Sequence, residues 1–347
     1  DTPEFEVESI MFVVATAVAG GGAQPESFDA ADAAVAAINA DGGIEDPAGG
    51  PARPLEVVRC EAGAGGNEDP DAALNCARDT IDQDVVAVVG RYLFGADGTQ
   101  AWADAGIPMI GSSPNEVEDF TNEFVYPITG GALAGAPGVG IALQQAGAET
   151  IALITGDVEA GRQLPGLITP ALENEDDLVQ ETYVPLDPSA DYTAQLAQLV
   201  SLNPDAVAVF GSSDINVRAI SGLRDAGYTG LIAIPGTALT TDGLEALGDA
   251  AEGAILASSF DAPNGGQSEG IQQFNEEMDT YAPDAARTDL AINAWASVHL
   301  FADVLAEADA IDPASVVDAL DGFEVDLDGL SPPFTMGVPN NQLDLPR

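Results

Sequence analysis

Cys60 and Cys76 are the only thiols of the 347-residue chain, and His299 is its only imidazole. A reactive or metal-bound thiol needs a neighbouring cation or at least two further ligands, and His299 stands far away on an apolar helical stretch. A structural disulfide is therefore the first reading of the pair, with two buried free thiols as the alternative. His299 reads as a packed or surface helix residue. Gly20, Gly21 and Gly22 follow the first apolar run as a phosphate loop would, but Pro25 stands where a third spaced glycine belongs and no Gly-Lys-Ser/Thr follows. The acidic run Glu173, Glu175, Asp176 and Asp177 lacks the alternating spacing of a calcium loop and reads as a solvated turn. No G-x-S-x-G elbow or paired acid and base is present, so the residues point to no catalysis, no metal and no cofactor.

Nine Lys+Arg against 58 Asp+Glu give a formal charge of −49, and the cations are all arginine. Such a surface repels nucleic-acid phosphate and anionic headgroups, which excludes both as partners. Hydrophobic residues make up 46% of the chain, enough for ordinary cores. No apolar run approaches the roughly 20 residues that span a bilayer. The chain begins at Asp1 without a Met or an apolar leader, as a mature exported protein does, so an extracytoplasmic location and no membrane insertion are expected.

Residues with these roles need a scaffold, and short apolar runs alternating with amphipathic stretches supply one. Strands are predicted at 10–17, 55–60, 85–90, 108–111, 150–155, 178–184, 206–210, 231–235 and 253–258. Helices fall between them, with two more at 268–281 and 289–306. This alternation implies right-handed βαβ crossovers and parallel sheets covered on both faces. The rhythm restarts near Thr150, which predicts an α/β fold of two doubly wound parallel-sheet lobes. Ser112, Ser113, Pro114 and Glu116 resemble the start of a short helix, with a serine cap and an early acid.

Ligands of open α/β sheets bind beyond the carboxyl ends of the strands. That rule selects the loops 20–27, 91–95 and 112–115 in the first lobe, and 156–162, 211–214 and 236–241 in the second. The chain resembles the type I periplasmic solute-binding proteins of ABC transporters, the Leu/Ile/Val-binding branch. The resemblance rests on Ala33-Ala34-Val35-Ala36-Ala37-Ile38-Asn39-Ala40-Asp41-Gly42-Gly43-Ile44, on Val86 to Gly90, on Ala105-Gly106-Ile107-Pro108-Met109-Ile110 and on Gly248-Asp249-Ala250-Ala251-Glu252-Gly253. It implies lobes joined by three crossovers, near 126–129, 258–261 and 331–335. Lobe 1 would then hold 1–126 and 259–332, and lobe 2 would hold 127–258 and 333–347, with the ligand cleft between them. It also implies a monomer that captures a small solute for a membrane permease; a ligand-sensing receptor of the same fold is the alternative.

The resemblance places the ligand carboxylate on hydroxyls and backbone N–H groups at Ser112 and Ser113, whose competing role is helix capping. It puts an acid at the position of Gly236, and aromatic residues where Ala160, Ser212 and Ser213 stand, so an ordinary amino acid loses its most discriminating contacts. Tyr92 and Phe94 are expected as pocket walls, with core packing as the alternative. Arg91 is expected to neutralise a ligand carboxylate, with an Asp partner as the alternative. Gln24, Gly95, Asp157, Asp214 and Thr237 complete the expected ligand set.

Overall fold

In a computed structural model, residues 3, 5, 7–18, 24–62, 70–93, 95–114, 116–187, 189–239 and 241–336 are described. The chain divides into two compact units. The first runs to Gly131 and resumes at Phe260; the second is Ala132–Ser259.

In chain order the first unit contains β1 (Ile10–Ala17), α1 (Glu26–Ala40), β2 (Leu55–Ala62), α2 (Pro70–Thr80), β3 (Val88–Val89), α3 (Ala96–Asp104), β4 (Met109–Ile110), α4 (Val117–Thr121) and β5 (Val125–Tyr126). Its sheet is parallel, in the order β2-β1-β3-β4-β5. The second unit contains α5 (Gly131–Gln145, whose first residue still belongs to the first unit), β6 (Ile151–Gly156), α6 (Glu159–Ile168), β7 (Leu178–Val184), α7 (Thr193–Ser201), β8 (Ala206–Phe210), α8 (Ser213–Asp225), β9 (Leu231–Pro235), α9 (Thr241–Leu247) and β10 (Ala254–Ala257). Its parallel order is β10-β9-β8-β6-β7. The chain then returns to the first unit with α10 (Glu269–Tyr281), α11 (Asp289–Glu307), α12 (Pro313–Leu320), β11 (Glu324–Val325) and β12 (Phe334–Thr335).

Helices on both faces explain why central strands are apolar throughout. Alternate residues of β1 enter different cores: Phe12 and Val14 pack with Phe28, Phe274, Trp295 and Phe301, while Val13 and Ala15 pack with Cys76, Trp102 and Met109. β6 and β8 are likewise buried along their whole length, whereas β7, at a sheet edge, alternates exposed and half-buried positions over its first half. No helix among the described residues is long and apolar enough to cross a membrane.

Two expectations need correction. β12 pairs antiparallel with β11 and Met336 is buried in the first unit's core, so residues 334–336 stay with that unit where a passage into lobe 2 from residue 333 was expected. Residues 337–347 lie outside the described residues. The helix after β4 starts at Val117 with Glu116 at its N-cap position, not at Ser112 or Ser113, and Asp119 accepts from the Glu116 N–H at 3.2 Å.

One polar cluster sits where α10 meets α11. Trp295 Nε1 donates to Glu277 Oε2 at 2.6 Å, His299 Nε2 lies 2.9 Å from the same oxygen, and Gln273 donates to the other at 2.9 Å. Burial pushes the Glu277 carboxyl up, but hydrogen bonding and charge from His299, with the Gln273 and Trp295 bonds, outweigh it and leave the group below its ordinary 4.5. Asp303 has the opposite sign: burial lifts it, helped by Asp328 and Glu307 against the pull of His299. A depressed carboxylate gives stability that is present above its unfolded value and lost as pH falls through the folded one, while protonation of Asp303 works the other way. The melting temperatures of the wild type and Glu277→Gln are therefore expected to differ at pH 7 and to converge below about pH 4. A difference that stays constant from pH 7 to pH 3 would refute the role given to Glu277.

Candidate functional site

Gly111 follows β4 with φ +67°, and a Cβ there would stand 1.8 Å from Ser297 Oγ, so only glycine lets α11 approach this closely. α11 grips the same turn: Asn293 Nδ2 donates to the Gly111 carbonyl at 2.7 Å and Ser297 Oγ at 3.3 Å. The next residues are thereby held against the loop after β3. The Ser113 N–H donates to the Arg91 carbonyl at 3.0 Å, and the Tyr92 N–H to the Ala15 carbonyl at 3.0 Å beside the end of β1. Gln24 follows at the entry to α1, its N–H donating to the Ala17 carbonyl at 2.8 Å, and the Gly95 N–H donates to Glu116 Oε2 at 2.6 Å. Gln24, Arg91, Tyr92, Gly95, Ser112 and Ser113 thus gather at the carboxyl edge of β1, β3 and β4.

The chemistry of this edge differs from the expectation at Arg91. Its side chain is 1% exposed, its guanidinium pairs with Asp119, itself 3% exposed, and it also donates to the Leu93 carbonyl. Arg91 is buried and paired with Asp119, which is the alternative held beside its expected role against a ligand carboxylate. Asp119 lies 28 positions away on α4 and escaped sequence reasoning because nothing local marks it. The Arg91 Nε is nevertheless unpartnered among the described residues, and further polar capacity is unspent beside it. Ser112 Oγ, Thr16 Oγ1, Gln24 Oε1 and Asn293 Oδ1 are all buried and have no hydrogen-bond partner among the described residues. Buried polar atoms are rarely left so, because each forfeits its water without compensation. Thr16 and Asn293 were not foreseen; they occupy an apolar strand and an apolar helix, where composition gives no signal.

In the second unit, Asp157, Ser212, Ser213, Asp214, Gly236 and Thr237 come to the carboxyl edge of β6, β8 and β9. Asp157 pairs with Arg162 in an exposed bridge, and that guanidinium lies over the Tyr183 ring at 4.7 Å. Ser212 takes the N-cap position of α8, and Asp214 is exposed in its first turn. Asn216 is the unforeseen organiser of this edge: its Nδ2 donates to the carbonyls of Gly211 at 3.0 Å and Ala238 at 2.6 Å, tying the loop after β8 to the loop after β9. Phe94, Asn115, Gly20, Gly21, Gly22 and the side chain of Ala160 lie outside the described residues.

The description "periplasmic binding protein" matches residues 13–346 of this sequence. Among solved structures, a possible leucine/isoleucine/valine-binding protein from Rhodopirellula baltica SH 1 is similar at TM-score 0.78 and 18% identity, over 98% of this chain and 93% of that one. The branched-chain amino acid transporter substrate binding protein of Streptococcus pneumoniae, solved with isoleucine, is similar at 0.77 and 18%, over 97% and 98%. A fatty acid ABC transporter substrate-binding protein from Thermomonospora curvata is similar at 0.75 and 17%, over 96% and 86%. At these identities the likeness is one of fold. No curated protein matches the sequence.

Proposed function

Because the chain belongs to the periplasmic binding protein family, a family of binding proteins rather than enzymes, we propose that it captures a small, partly apolar organic solute outside the cytoplasm and delivers it, as a monomer, to an ABC-transporter permease. The observation that carries this reading is the buried hydroxyl of Ser112, without a partner among the described residues, at the strand edge where open α/β sheets take ligands. The competing use of that serine, capping the next helix, falls to Glu116. A carboxylate or amide end of the solute is assigned to Ser112, Ser113 and the neighbouring backbone N–H groups. Tyr92 is assigned as an apolar wall, and Ser212, Ser213, Gly236 and Thr237 are assigned as further contacts of the solute.

Unmodified leucine or valine is expected to bind weakly. An ammonium buried without an acidic partner costs several kcal/mol, Gly236 supplies none, and Asp157 is already paired with Arg162. Calorimetric titration with branched-chain amino acids, aromatic acids, amides and ureas tests this. The reading expects heat from a carboxylate or amide ligand, diminished in Ser112→Ala. Tight binding of leucine would overturn the ligand assignment, and loss of that binding in Asp214→Ala would identify the missing acid.

A further inference from the structure

The loops leaving β6 and β7 carry two apolar side chains that the core does not absorb. Leu186 is 52% exposed and Val158 38% exposed. Exposed apolar residues scattered singly are ordinary, but these two stand at the one edge of the second sheet where a solute would be met. The backbone beneath them is bare. A Cβ added at Gly156 would lie 2.8 Å from Leu186 Cδ2 and 3.5 Å from Ile215 Cδ1. Gly211, at the end of neighbouring β8, would meet Ile215 Cγ2 at 2.7 Å. Two glycines at the ends of adjacent central strands therefore let Ile215 fill the core from below while Leu186 lies across the top with half its surface left over. The Asp157 N–H donates to the Val184 carbonyl at 2.8 Å and the Val158 N–H to the Gly156 carbonyl at 2.9 Å, so Val158 turns back on the glycine over which Leu186 lies.

We propose that Leu186, with Val158, is the specificity-determining surface for an aliphatic chain on the captured solute, so that solutes are ranked by the length of that chain. This rests on the capture function proposed above and adds the class of solute. Leu186 and Val158 offer only apolar area, and the nearest charged groups, Asp157 and Arg162, are paired with each other. Apolar contact of this kind gains with every methylene removed from water.

The test is calorimetric titration of the full chain with straight-chain carboxylates and primary amides from four to ten carbons. Affinity is expected to rise about two- to four-fold for each added methylene, the upper value being complete burial. Leu186→Ser should flatten that dependence. Gly156→Ala, which pushes only the flexible end of Leu186 aside, should shift the preferred length even if the first variant folds poorly. Val179→Ser, removing an exposed valine 44% accessible near the opposite end of β7, should leave the dependence as it was. A dependence that is flat in the wild type, or that survives both Leu186→Ser and Gly156→Ala, overturns the proposal. So does a light-scattering mass showing a dimer that Leu186→Ser dissociates, because the surface would then serve a second copy. Binding of some other solute but none of this series overturns the chain-length inference alone, whereas no heat from any solute in either panel overturns the capture reading beneath it.

Discussion

Asp119→Ala is expected to destabilise the protein by about 3–5 kcal/mol, a loss out of proportion to the removal of one carboxylate on a five-residue helix. The reason is what remains. Arg91 is 1% exposed, and without Asp119 its charge keeps the Leu93 carbonyl but no counter-ion among the described residues. An arginine cannot shed its proton to escape, so the penalty is met by local unfolding or by water entering the strand edge. Arg91→Ala leaves the carboxylate instead and should cost less, since Asp119 still accepts from the Glu116 N–H. The double replacement Arg91→Met with Asp119→Leu should recover most of the loss, because an apolar pair of similar volume needs no counter-ion. Urea melts of the three variants decide the matter. Single variants within about 1 kcal/mol of the wild type would mean that the pair is solvated and that Arg91 is again available to a ligand.

The strands and the alternation were legible because their signal is local. β1, β7, β8 and β9 fall where continuous apolar runs or period-two patterns place them, with the bounds that reasoning predicts. β5 was not foreseen, since two residues cannot display a period. The start of α4 was misplaced because Ser112-Ser113-Pro114 has the composition of a cap, while the residue that holds the position, Glu116, looks like an ordinary acid of a first turn. The polar organisation of the candidate site was legible only by place. The rule about strand ends selects Ser112, Ser113 and the loop of Arg91, but the partners that decide what those residues can do lie far off in sequence: Asp119 for Arg91, and Asn293, 182 positions away, for Gly111. Whether a cation meets a ligand or an internal acid depends on such pairings, which no local pattern encodes.

The same distinction makes the disulfide the second large effect. Cys60 on β2 and Cys76 on α2 are bonded, with Cα atoms 5.6 Å apart and a separation of 16 residues. Short spacing made the pairing legible, because few other partners were available to either thiol. The bond ties an edge strand to the helix that covers it, and Cys76 is 2% exposed within the core that also contains Trp102 and Met109. A loop of this size is worth about 3 kcal/mol through the restriction it places on the unfolded chain. Cys60→Ser and Cys76→Ser should each lose about that amount. The Cys76 variant should lose more, since it also buries a hydroxyl in an apolar core, and Cys76→Ala separates the two contributions. Intact mass and thiol labelling of the denatured, unreduced protein should find no free thiol. Two reactive thiols, or a melting temperature that reduction leaves unchanged, would remove both the stabilisation and the support that an oxidised pair lends to an extracytoplasmic location.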